Sequence, residues 1–334
     1  MSNDLSYISW LQTLNNQYLF YVSTVIFPLA VILNTTSIVV FSRKRFANHT
    51  NGLFNIFIDI ANNILFLSAF PFYYTKAIGN DIELWSDLTC KTLNYVFKVT
   101  VAYNSWLNVL ISFDRMASVV YPHSFKFMKK RKCIYIIFAL ILVTLCLMYT
   151  PNLLLNVIII NENSTNGNQT SKTTKLCSGS PLLVNIRDGI AMIFRIILPF
   201  ILMLIFNIIL IKNLVKTKRN LNKERSMRKE EKFSRSIIAL NFLFFITTLP
   251  YLVALVLLNM FQYSSKSTFS SSDTAIINFC LSIAVSISVY NHGLPCLVNL
   301  YFNKVFREEF FNLLSNTKSF LTTTNSIKSS TQNA

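Results

Sequence analysis

Seven stretches of this chain are apolar for about the 20 residues that carry a helix across a bilayer, which leaves little choice of fold. They run Leu19–Phe41, Leu53–Tyr74, Thr92–Asp114, Cys133–Val157, Gly189–Leu214, Ser236–Met260 and Thr274–Tyr301. Inside a membrane every backbone donor and acceptor must be satisfied by the chain itself, so segments of this length become helices. The expected fold class is an all-α membrane protein, a seven-transmembrane helix bundle. The third and seventh stretches are the most polar. Of the 334 residues only 13% are charged, against about a quarter in a soluble domain. No repeat of fixed period is present.

A net charge of +17 could signal nucleic acid, but the basic residues form no basic domain. They sit in short loops, where they set orientation. Arg43, Lys44 and Arg45 follow the first span; Lys126, Lys129, Lys130, Arg131 and Lys132 follow the third; ten Lys and Arg fill Lys212–Arg235 after the fifth. The alternate loops hold only Lys76 and Lys91, Lys172 and Lys175, and Lys266. This places the amino terminus outside and the carboxyl terminus inside, in a multi-pass plasma-membrane protein. Met1–Gln17 carries no Lys or Arg and holds Asp4, so no signal peptide is expected and the first span serves as its own insertion signal. Phe302, Val305, Phe306, Phe310 and Leu313 share one helical face, which predicts an amphipathic helix in the membrane interface over 302–314. No cysteine follows to carry a palmitoyl anchor. The expected organisation is an extracellular amino terminus over 1–18, the bundle over 19–301, the interfacial helix, and a disordered Ser/Thr-rich cytoplasmic tail over 315–334.

Of six cysteines, Cys90 opens the third span and Cys177 lies in the longest outer loop. Both face an oxidising compartment, and a disulfide between them is expected. Asn163 and Asn168 begin glycosylation sequons in the same loop. No Cys/His spacing suggests a metal site, and no cofactor is expected. The His residues are scattered at 49, 123 and 292 with no nucleophile or paired carboxylate nearby in sequence, so an enzyme is not expected.

The third span carries the most chemistry. Phe97, Val101, Asn104, Asn108, Ile111 and Arg115 recur at steps of three and four and share a face. Its amides must find partners inside a bundle. Arg115, at a membrane edge beside Asp114, is costly in lipid and is therefore paired or functional.

This stretch resembles the third helix of rhodopsin-like G-protein-coupled receptors, whose Asp-Arg-Tyr signature reads Asp114-Arg115-Met116 here. The resemblance extends over nearly the whole chain. Cys90 lies 25 positions before Arg115 and Pro122 seven after it, as in the family. Asn34, Pro199 and Pro250 match the first-, fifth- and sixth-span markers. Phe244 matches the aromatic of the activation switch, and Glu230 the acid that clamps the signature arginine at rest. Asn303-Lys304-Val305-Phe306-Arg307 is similar to the start of the family's interfacial helix. There are departures. The second-span aspartate is Asn62, with Asp59 one turn earlier. The sixth-span Trp is Thr248, the fifth-span Tyr is Asn207, and the seventh-span Asn-Pro motif reads Leu294-Pro295. These bear on sodium modulation and switch chemistry, and point to a divergent, peptide-receptor-like branch.

The resemblance implies a receptor that binds an extracellular ligand between the outer halves of its spans and activates a heterotrimeric G protein as the sixth helix swings out. Pro250 permits a kink there by removing a backbone bond. Phe97 stands where amine receptors carry an aspartate, which disfavours an amine. No lysine in the seventh span rules out a retinal Schiff base. Lys98 and Arg195 are cations at membrane depth, where charges face the bundle interior. Together they suit a ligand with an acidic group, a peptide carboxyl terminus or a small organic acid. Either can instead pair with Asp188, which shares the face of Arg195 at a seven-residue spacing, or snorkel to the lipid interface. The tail serines and threonines offer phosphorylation sites for an arrestin, and the basic loops attract anionic lipid. A seven-helix decoy that signals without G proteins, and a transporter, are the competing classes; six glycines and no paired halves argue against the latter.

Overall fold

The computed structural model describes residues 2–47, 50–121, 125, 130–162, 172–219, 225–263 and 271–315. Seven helical columns pack side by side. The first joins α1 (Ser2–Tyr21) to α2 (Phe27–Phe41); a short α3 (Lys44–Ala47) leads to the second, α4 (Thr50–Ala77). The third is α5 (Asp87–Val120), the fourth α6 (Arg131–Met148), the fifth α7 (Pro181–Ile190) continued by α8 (Leu198–Arg219), and the sixth α9 (Arg225–Tyr263). The seventh joins α10 (Ser271–Tyr290) to α11 (Pro295–Phe302), and a last helix, α12, covers 304–315. Six columns are long and apolar enough to cross a membrane on their own. The exception, α5, has 34 residues, about 50 Å at helical rise. It spends its apolar surface on Asn94, Lys98, Asn104, Asn108, Asp114 and Arg115, all in the bundle's middle column.

Local chemistry fixes the ends of α5. Ser86 caps its start and forms a capping box with Thr89, satisfying two orphan N–H groups. At the other end Tyr121 leaves helical geometry at φ −128° and ψ 62°, as the residue before Pro122 must.

Two prolines also set the bundle's irregularities. Phe27 N–H reaches back five residues to Val22 in a π turn (Val22–Ile26) just before Pro28. Leu198 N–H reaches back to Ile193 in a second π turn (Ala191–Ile197) just before Pro199. Proline has no N–H to give, so Phe194's carbonyl is bonded neither by residue 198 nor by 199. Trp106 of α5 takes it, its indole N–H donating at 3.0 Å. Trp106→Phe keeps the ring and removes the donor. It is expected to cost about 1 kcal/mol and to lower the thermal midpoint of purified receptor by a few degrees; an unshifted midpoint would show that the bond contributes nothing.

Phenylalanines fill the core. Near Arg115, Phe54, Ile58, Leu107, Ile111, Ile134, Phe138 and Ile237 join four columns, with Phe54 and Phe138 edge to face at 5.3 Å. Toward the disulfide, Leu19, Val22, Phe27, Phe66, Tyr73 and Val289 join three columns. Gly293 is needed where the seventh column meets the first: a Cβ there would stand 2.8 Å from that of Ala30. The close approach lets Asn34 donate to the His292 carbonyl at 3.2 Å. Past the bundle, α12 is tied to the first connecting loop by Arg45 to Glu308 at 3.0 Å, Arg45 to Glu309 at 3.3 Å and Arg43 to Glu309 at 3.7 Å.

Two expectations about boundaries change. Residues 2–18, expected as a separate amino-terminal segment, are helical and run into the first span through the π turn. The fourth helix ends at Met148 rather than Val157, because Pro151 opens a 3₁₀ turn (Thr150–Leu154). Beyond it β1 (Asn156–Glu162) pairs antiparallel with β2 (Lys172–Ser178), Val157 opposite Cys177. Among the described residues the bundle carries one two-stranded ribbon, and Val157, expected as the last residue of the fourth span, is β-branched strand. Asn163 and Asn168 lie outside the described residues.

Candidate functional site

Two polar regions interrupt the apolar core, one at each end of the bundle. At the first, Cys90 and Cys177 form a disulfide that staples β2 to the top of α5. Around it Asn94 donates to Glu83 at 2.5 Å, and Asp87 accepts from the Val157 N–H at 2.7 Å. Burial pushes the Glu83 carboxyl above the usual carboxylate range, opposed by the bond from Asn94.

Beneath this lid three cations and one carboxylate lie on facing helices. Asp188 of α7 accepts two bonds from Arg187, at 2.8 and 3.0 Å, and pairs with Lys98 of α5 at 3.4 Å. Arg195 is 5% exposed and has no carboxylate within ion-pair distance among the described residues. Its guanidinium lies 4.8 Å over the Tyr251 ring, and one nitrogen donates to the Tyr251 hydroxyl at 3.5 Å. The Tyr149 hydroxyl is buried without a partner among the described residues. Phe97 stacks on Phe72, with centroids 6.3 Å apart.

The sequence places Asp188 on the face of Arg195; the structure does not. The π turn inserts one extra residue between them, which rotates the remainder of the column by about 100°. Asp188 therefore reaches Lys98, and Arg195 turns to the sixth column instead. Sequence reading also missed Arg187, adjacent to Asp188, and Tyr251.

At the opposite end Arg115 donates to its neighbour Asp114. Both are 3% exposed, and the Arg115 Nε has no partner among the described residues. Phe244 packs on Val109 and Met203, and Pro250 lies inside α9. Glu230 belongs to the same helix, but its side chain lies outside the described set. Between the helices run separate ties of neutral side chains that sequence reading missed. Asn241 of α9 donates to Ser112 at 2.7 Å and to Asn207 of α8 at 3.1 Å. Ser236 donates to Asn299 at 2.6 Å. His292 bonds Asn62 at 3.1 Å. Asn104 contradicts the expectation for buried amides, since neither of its amide atoms has a partner among the described residues.

Between these groups is a cavity of about 10 Å³, lined among others by Asn55, Asn62, Asn108, Asn241, Asn291 and His292, with room for one water. The family resemblance implies sodium near Asn62. The donors here are neutral amides and an imidazole, the Asn62 oxygen is taken by His292, and Asp59 is not among the lining residues. These groups do not fit a sodium ion, which needs a carboxylate to offset its desolvation.

A seven-helix membrane bundle with a disulfide-tethered lid at one end and a buried Asp-Arg pair at the other defines a heptahelical receptor. The family model described as 7 transmembrane receptor (rhodopsin family) matches residues 33–292, and the chain belongs to that family. It is a multi-pass membrane receptor. A comparison with curated proteins found no match.

Proposed function

We propose that this receptor lies in the plasma membrane with its amino terminus outside, binds an extracellular ligand bearing an acidic group, and activates a heterotrimeric G protein. Peptides ending in a free carboxylate and small organic acids are the favoured ligands; amines and retinal are not. One observation carries the ligand class: Arg195 is buried without an anionic partner among the described residues, beside two tyrosines. A charge held so is costly unless something pairs it. A planar guanidinium matches both oxygens of a carboxylate, and the Tyr149 hydroxyl offers a further donor. Lys98, held by Asp188, ties α5 to α7 and contributes positive potential more than contact. Phe97 supplies an apolar wall.

Arg115 would bind the G protein once the sixth column moves, with arrestin and anionic lipid as further partners of the inner face. The altered positions Thr248 and Leu294-Pro295 favour the second reading, a decoy that binds the same ligands without signalling. A second-messenger assay with a promiscuous G protein, run against acidic peptides and metabolites on surface-expressed receptor, tests both. The expected hits carry a free acid and lose potency when it is amidated or esterified. Binding of such ligands with no second-messenger response would select the decoy.

A further inference from the structure

We infer that Asn241 is a latch of neutral hydrogen bonds that holds the sixth column closed in the resting receptor; this rests on the reading that the receptor signals by opening that column. The side chain is 1% exposed and sits between three helices. An amide NH₂ has two protons, and both are spent across helix gaps: one on Ser112 of α5 at 2.7 Å, the other on Asn207 of α8 at 3.1 Å. Ser112 is free to accept because its own proton goes to the Asn108 carbonyl at 2.6 Å. The chain Asn241, Ser112, Asn108 therefore runs in one donor direction, and α9 is tied to the third and fifth columns through a single side chain.

The position gives the bonds leverage. Ser112 is three residues before Arg115, and Asn241 is three before Phe244, so the tie lies within a turn of both. Moving α9 away from α5 and α8 breaks both bonds together and leaves the buried amide to be re-partnered in the small polar cavity it lines, at a cost wherever a donor stays unpaired. Nothing charged is needed. The tie is insensitive to pH and weakly sensitive to salt, unlike an ion pair. A ligand that turns the outer half of α9 about Pro250 works against these two bonds.

The test uses full-length receptor. Asn241→Leu removes both donated bonds while keeping the same branching and number of side-chain heavy atoms. Basal second-messenger output at equal surface expression should rise about three- to fifteen-fold, the population change expected for an interhelical hydrogen bond in a membrane. Ser112→Ala removes one acceptor and should give the smaller part of that rise. Added to Asn241→Leu it should give nothing more, because the bond is already gone. A purely structural role would lower expression without such non-additivity. Spin labels introduced as genetically encoded residues at 121 and 234 read the opening directly: unliganded Asn241→Leu and Ser112→Ala should populate longer distances than the wild type. If all variants are silent toward G proteins but the distances still lengthen, the latch stands and the G-protein reading falls. Unchanged distances in both variants would overturn the latch; if Asn241→Leu does not reach the surface, unchanged distances in Ser112→Ala alone do so.

Discussion

Arg195→Ala is expected to raise the half-maximal concentration of an acidic agonist about a hundred-fold or more, with surface expression retained. The magnitude follows from removing one partner of a buried, hydrogen-bonded charge pair, which costs several times the thermal energy for each bond lost. Arg195→Lys should recover part of the loss, since a point charge replaces the planar fork that matches two carboxylate oxygens. The cleanest arm is reciprocal. An esterified ligand should lose potency on the wild type and lose nothing further on Arg195→Ala, because the mutation has already removed its partner. Lys98→Ala should have a smaller effect, for Asp188 keeps both bonds to Arg187. Equal potency of free acid and ester on the wild type, or unchanged potency in Arg195→Ala, would place the acid elsewhere or remove it from the ligand.

Arg115→Ala should abolish G-protein signalling, by more than ten-fold, while ligand binding at the far end persists. Charge-assisted hydrogen bonds to a partner's carbonyls have this magnitude. Arg115 donates to Asp114, and both are buried; in the proposed mechanism this bond holds it at rest. Asp114→Asn keeps the shape and an acceptor but weakens the hold, so it should raise basal output where Arg115→Ala lowers it. Opposite signs for adjacent residues are hard to obtain from misfolding alone. Normal signalling from Arg115→Ala would contradict the role, and so would a fall in both.

Much of the bundle was legible before any coordinates. Length and hydropathy fix the seven columns because a membrane leaves backbone groups no other solution. Cys90 and Cys177 were readable from the compartment they share. What escaped notice did so for physical reasons. Residues 2–18 form a helix that no hydropathy window isolates from the span it continues. The ribbon after the fourth column hides because a short run of isoleucine reads equally as strand or as helix. Arg195 was found, but its face was not: a π turn caused by Pro199 shifts the phase, and helical arithmetic assumes none. The ties of Asn241, Ser112 and Asn207 were least visible, since single polar side chains 34 and 129 residues apart carry no mark of pairing.

The contacts of α12 bear on how the inner face meets lipid. Glu308 and Glu309 serve as partial counter-ions for Arg43 and Arg45, so part of those arginines' charge is offset within the protein. Attraction to anionic headgroups then falls chiefly on the other basic loops, and above all on the ten cations between residues 212 and 235. In the proposed orientation the positive charge facing the inner leaflet is lopsided, concentrated in the connection between the fifth and sixth columns, so the anionic-lipid content of that leaflet is expected to shift the proposed opening of the sixth.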